Sequence, residues 1–233
     1  MSNNSKHLNS EFLVAMLAAS FCLTACGGGG GGGNDAPGGG GNPPAPVPAP
    51  PPPPPPPPAA SAAPPLSSTA LDVTGEVAVG EHHWSNGDTT AGGQGSPVND
   101  IQCYPTIHDD THTHLAIVLN GELLTVPDLL GTPGNPRCYY GIHTRNGSGL
   151  LHVQTGFSRP LTLGDAFDIW GQPLTNTNVA GIEGLAVEVF VTDDGTTTQV
   201  ESDWRAIELK PYRLVTIGLG TPLTEIPNFT WTD

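Results

Sequence analysis

Basic residues are what this chain most conspicuously lacks. Seven Lys plus Arg stand against 22 Asp plus Glu, a formal net charge of −15. Neutralising nucleic-acid phosphates needs clustered Lys and Arg, so a nucleic-acid partner is not expected. Such acidity favours solubility, or attraction of cations. The apolar run at residues 12–25 falls short of the ~20 residues a spanning helix requires. No Walker, Gly-x-Gly-x-x-Gly or His-Glu-x-x-His pattern occurs, and no Ser, Cys or Lys nucleophile sits in a recognisable motif. With no catalytic residue to name, the chain reads as a binding or structural protein before an enzyme.

Glycine and proline, by contrast, are abundant: 31 Gly and 26 Pro, concentrated before residue 66. That part cannot build a core, so the expected organisation has three pieces. Residues 1–25 form a signal peptide: a short apolar run ending in small residues. Its end, Leu23-Thr24-Ala25-Cys26, resembles the bacterial lipoprotein signal, which implies lipidation at Cys26 and an anchor in the cell envelope, outside the cytoplasm. Residues 26–70 form a disordered Gly/Pro spacer. Its nine consecutive prolines at 50–58, as polyproline II, span roughly 28 Å. Residues 71–233 form a single β domain, and ~150 residues suffice for one sound core.

The domain reads as all-β, a sandwich or small barrel with at most one short helix. A first strand is expected at 73–79. Asn120-Gly121 joins strands at 111–119 and 122–126, the strongest hairpin signal in the chain. Segments 138–143 and 150–155 flank a Gly/Ser/Asn turn, and 185–192 and 197–200 flank Asp193-Asp194-Gly195. A strand at 213–218 and an extended tail at 221–230 follow. Only residues 163–170 carry helical spacing, through Leu163, Ala166, Phe167 and Trp170. Asp165 and Asp168 on that helix read as solvated face and cap rather than as an acid/base pair.

Two cysteines remain in the domain, Cys103 and Cys138. Outside the cytoplasm such a pair reads as a disulfide, with a Cys/His metal site as the rival. The disulfide would stabilise the fold by ~4 kcal/mol on the loop-entropy model. Four of the eight histidines, His112, His114, His143 and His152, fall on expected strands. Strand residues two apart share a face, so His112 and His114 point together while Leu115, Ile117 and Leu119 form the better core face. Neutral imidazole is a common ligand for copper, zinc, iron and nickel. A site built on these four histidines for copper or zinc is the leading expectation. Histidines held in hydrogen-bond networks of a non-metal binding or structural module are the alternative. His82, His83 and His108 read as loop residues.

The run His112-Thr-His114-Leu115, Asn120-Gly121, Val126-Pro127, Cys138-Tyr139-Tyr140, His143-Thr144-Arg145-Asn146, Gly149-Leu-Leu-His152-Val153 and Thr162-Leu-Gly164-Asp-Ala-Phe167-Asp-Ile-Trp170 resembles a group of secreted or membrane-tethered prokaryotic proteins with no established activity. Where that group carries His-Thr-His-Asp, this chain has His143-Thr144-Arg145-Asn146. The resemblance implies that any ligand supplied by the second histidine or the acid of that turn is replaced here. His-x-His is similar also to the cupin motif, which implies a metalloenzyme barrel. Against it, Glu122 lies beyond the Asn-Gly turn and the Pro-x-Gly-x-x-His run is absent.

Overall fold

The computed structural model describes residues 62–75 and 77–231, all within the unit Pro57–Asp233. The expected signal peptide, Cys26 and most of the spacer lie outside the described residues. Among the described residues no helix is long and apolar enough to cross a membrane.

The domain is built of strands and a single α-helix, and its sheets do not close into a barrel. In chain order the elements are β1 (Leu66–Asp72), β2 (Asp110–Leu119), β3 (Glu122–Leu124), β4 (Ile142–His143) and β5 (Leu150–Gln154). Helix α1 (Leu163–Trp170) follows, then β6 (Asn178–Val179), β7 (Ile182–Glu183), β8 (Val187–Asp193) and β9 (Thr196–Gln199). A 3-10 turn at Trp204–Ala206, β10 (Leu214–Leu219) and β11 (Ile226–Thr230) complete the chain.

The main sheet has seven strands in the order β4-β5-β2-β10-β8-β9, with β3 also on β2. Strand β2 is its axis. On one side it pairs in parallel with β10. On the other, its first half takes β5 and its last three residues take β3, both antiparallel. The Asn-Gly signal is realised as the β2–β3 turn, where Asn120 (φ 51) and Gly121 (φ 89) both adopt the left-handed region such a turn demands.

Both faces of this sheet are covered. Leu115, Ile117, Leu151, Val153, Val215 and Ile217 face α1, whose Leu163, Ala166, Phe167 and Trp170 complete the larger core. Each large apolar side chain buried there contributes ~1.5–3 kcal/mol. The helix is fixed at both ends. Thr162 and Asp165 form a capping box, and Gly171 closes the C-terminus in the left-handed conformation. Asp165 is therefore a cap, but a buried one, paired with Arg159 at 2.7 Å rather than solvated.

On the opposite face, Ala116, Phe190 and Leu214 pack against Val73, Ile226 and Phe229. These come from the two-stranded parallel ribbon β1–β11 and the residue after it. The ribbon revises two expectations. Strand β1 begins at Leu66, ahead of Leu71, because β11 supplies hydrogen-bond partners that the polar composition of 66–70 does not advertise. The strand expected at 73–79 does not form. Val73 adds one bond to the ribbon, donating to Thr230 O at 3.0 Å, and a turn at Thr74-Gly75 then leads the chain away.

The disulfide is present: Cys103 and Cys138 are joined with Cα atoms 5.4 Å apart. Cys138 lies just ahead of the buried Tyr140, whose carbonyl receives His143.

Candidate metal centre

Register decides which histidines meet. Across β2 and β5, His112 stands opposite His152; across β5 and β4, His152 stands opposite His143. Directly paired residues carry Cβ atoms about 4.5–5.5 Å apart on one face. Three imidazoles therefore form a single row across three adjacent strands. The His143 and His152 rings stack with centroids 5.2 Å apart, and His112 meets His152 edge-on at 4.5 Å.

Asp110 joins the row from two residues before His112, on the same face of β2. Its Oδ2 lies 2.9 Å from His152 Nδ1. The same His152 Nδ1 lies 2.9 Å from His112 Nε2. One ligand atom from each of Asp110, His143 and His152 lies within 4.8 Å of the other two. A tetrahedral ion with bonds of ~2.0–2.1 Å needs its ligand atoms about 3.3 Å apart, so small side-chain adjustments bring all three into range.

Backbone contacts prepare His143. Its Nδ1 lies 3.3 Å from the carbonyl of Tyr140, which makes Nδ1 the protonated nitrogen and leaves a lone pair on Nε2. That Nε2 is buried and has no hydrogen-bond partner. A close approach of backbone makes room for the strand itself. A Cβ at Gly131 (φ +74) would stand 2.3 Å from Ile142 O and 3.2 Å from His143 Cα.

Burial keeps His143 and His152 neutral. Desolvation, reinforced by the neighbouring His152, lowers the pKa of His143 to about 4. Desolvation first, then the charges of Arg145 and His112, lower that of His152 to about 3. Both are therefore in the form that binds metals at neutral pH. The side chain of Asp110, 17% exposed, marks the side on which the cluster approaches solvent.

His114 does not join. Its Nε2 donates to the Ser148 carbonyl at 2.8 Å, and its ring stacks on Phe229 with centroids 3.7 Å apart, with Trp231 beyond at 5.7 Å. Desolvation lowers its pKa to about 3. It is part of the second core. Thus His143 and His152 belong to the cluster and His112 adjoins it through His152, while His114 serves packing. His82, His83 and His108 lie in exposed loops. Asp110 is the residue that sequence reasoning missed. The signal was available, since Asp110-x-His112-x-His114 alternates with the period of a strand.

The chain is thus a mixed-sheet β domain with a buried carboxylate–imidazole cluster on one sheet face. Comparison with family models, curated proteins and solved structures finds no match, so the functional reading rests on this geometry.

Proposed function

We propose that the domain binds a divalent transition-metal ion, copper or zinc, through Asp110, His143 and His152, with His112 at hand as a further nitrogen. The observation that carries this is the convergence of three ligand atoms within 4.8 Å of one another in a largely buried setting. Local chemistry supports it. His152 Nδ1 has both Asp110 Oδ2 and His112 Nε2 at 2.9 Å. At most one proton sits on the His152 Nδ1 between these two neighbours, whereas a cation would take lone pairs from all three atoms. The second histidine, His143, offers a buried nitrogen with no partner.

The same proposal sets the domain outside the cytoplasm, tethered through lipid on Cys26. The Leu23-Thr24-Ala25-Cys26 sequence and the Cys103–Cys138 disulfide support that placement. It also groups the chain with the tethered prokaryotic proteins it resembles. Titrating the full chain with Zn(II) and Cu(II) against an Asp110→Ala/His152→Ala double variant tests the metal reading. Uptake of one equivalent by the parent, reduced at least 100-fold in the variant, is expected, because removing even supporting groups costs about 10–100-fold. Equal, negligible uptake by both proteins would leave the His112–His152–Asp110 contacts as a hydrogen-bond network in a non-metal module.

A further inference from the structure

Among the described residues, Arg145 is a cationic side chain in contact with the cluster, and it is not a ligand. Arg145 Nη2 lies 3.5 Å from Asp110 Oδ2, the oxygen that also meets His152. Its side chain is 44% exposed, against 17% for Asp110 and 4% for His152. Arg145 therefore stands on the solvent side of the carboxylate, and the imidazoles lie behind it.

We propose that Arg145 is a cation gate: its guanidinium holds the Asp110 carboxylate in the metal-free protein and must release that oxygen before a divalent ion can take it. The inference rests on the metal reading above and says what governs filling of that site. The structure supplies the parts of a gate. The holding contact is single and long, with one nitrogen on one oxygen, so it is displaceable. The backbone around it is fixed. Thr144 Oγ1 donates to Pro127 O at 2.7 Å and accepts from Leu130 N at 3.0 Å, and Asn146 Oδ1 accepts from Ser148 N at 2.9 Å. Opening is thus a swing of the Arg145 side chain alone, with the turn and His143 left in place.

Arg145 contacts the oxygen that a bound ion would take, so its charge would stand within a few ångströms of that ion. In a water-like dielectric, charges of +1 and +2 about 6 Å apart repel by an amount equivalent to roughly tenfold in affinity. The arginine thereby trades affinity for partial neutralisation of the Asp110 carboxylate in the metal-free protein.

The test uses the full chain and three proteins: the parent, Arg145→Gln and Arg145→Lys. Zn(II) affinity is measured by competition with a chromophoric chelator, and association rate by stopped flow, at low and high salt. Circular dichroism confirms the fold, and the Co(II) absorption spectrum reports whether the ligand set is unchanged. Arg145→Gln is expected to bind roughly tenfold tighter and faster at low salt, with the gain shrinking as salt screens the half-exposed charge. Arg145→Lys, which keeps the charge, stays near the parent, and all three share one Co(II) spectrum. Binding by Arg145→Gln with none by the parent supports the gate in its strictest form and removes the metal function from the natural chain. Equal binding by parent and Arg145→Gln overturns the gate and leaves the metal reading standing, as does weaker binding by Arg145→Gln, which would make Arg145 a support for Asp110. No binding by any of the three overturns both.

Discussion

Two neighbouring positions on one face of β2 carry the same kind of signal and put it to different uses. At the start of the strand, His112 meets His152 as a cross-strand pair, Asp110 reaches the same His152 nitrogen, and His143 lies one strand further on. Two residues later, on the same face, His114 stands opposite Leu150 and beneath Phe229 of the β1–β11 ribbon. One position gathers polar atoms around a point, and the other closes a histidine into an aromatic stack with one backbone acceptor. The difference does not come from the His-x-His spacing, which is common to both. It comes from what the neighbouring strands deliver at each register position and from where the ribbon covers the face.

The sharpest way to break this contrast is at a residue that bears on both positions. Gly149 (φ +84) stands just before the return strand, and a Cβ there would stand 2.5 Å from Leu115 O and 3.0 Å from the His114 ring. Gly149→Ala combines left-handed backbone strain with a clash against main chain, and a loss of about 3 kcal/mol or more is expected. Urea denaturation measures it. Because Gly149 precedes β5, the same variant should also weaken Zn(II) binding. Unchanged metal affinity at reduced stability would show that the site tolerates a shifted β5.

A more selective substitution separates the two positions. His114→Ala removes the stack on Phe229 and orphans the Ser148 carbonyl, for an expected loss of about 2–3 kcal/mol. Metal affinity, compared in folded protein, should change less than threefold. A drop comparable to that of the Asp110→Ala/His152→Ala pair would put His114 among the ligands and dissolve the distinction between the two positions.

Much of the fold was legible because it rests on local signals. The Asn120-Gly121 turn, the Asp193-Asp194-Gly195 turn and the Thr162–Gly171 helix frame each specify an element from within a few residues. The ribbon was not legible, since β1 and β11 are far apart in sequence and each is stable only through the other. That one non-local pairing accounts for three departures from what local sequence implies. Strand β1 begins inside the expected spacer, the described residues of 73–79 form no strand, and His114 lies outside the cluster, because nothing local announces Phe229 as its cover. The opposite placement of His112 and His152 was also beyond local reasoning, although the alternation that aligned Asp110 with His112 was in plain view.

Acid sharpens the comparison most finely. His114 is neutral in the folded chain, with its pKa lowered to about 3 by burial, while in the unfolded chain it returns to ~6.5. The unfolded state therefore binds more protons below pH ~6.5, so the group's contribution is whole above that pH. It declines as pH falls from about 6.5 toward 3, at up to ~1.4 kcal/mol per pH unit. From pH 7 to pH 5 the loss from His114 is roughly 2 kcal/mol. His143 and His152 act in the same direction in the cluster, with pKa values lowered to about 4 and about 3. His114→Phe keeps an aromatic ring on Phe229 but cannot titrate, so in metal-free protein it should flatten the acid limb by about a third and leave the rest to the cluster. Zn(II) should act on that remaining part, because protons and metal compete for the cluster imidazoles and not for His114. Urea midpoints at pH 7 and pH 5, with and without Zn(II), read both effects. An acid limb unchanged by His114→Phe would mean that the ring accepts its proton without leaving the stack, and the two positions on β2 would then differ in partners but not in electrostatics.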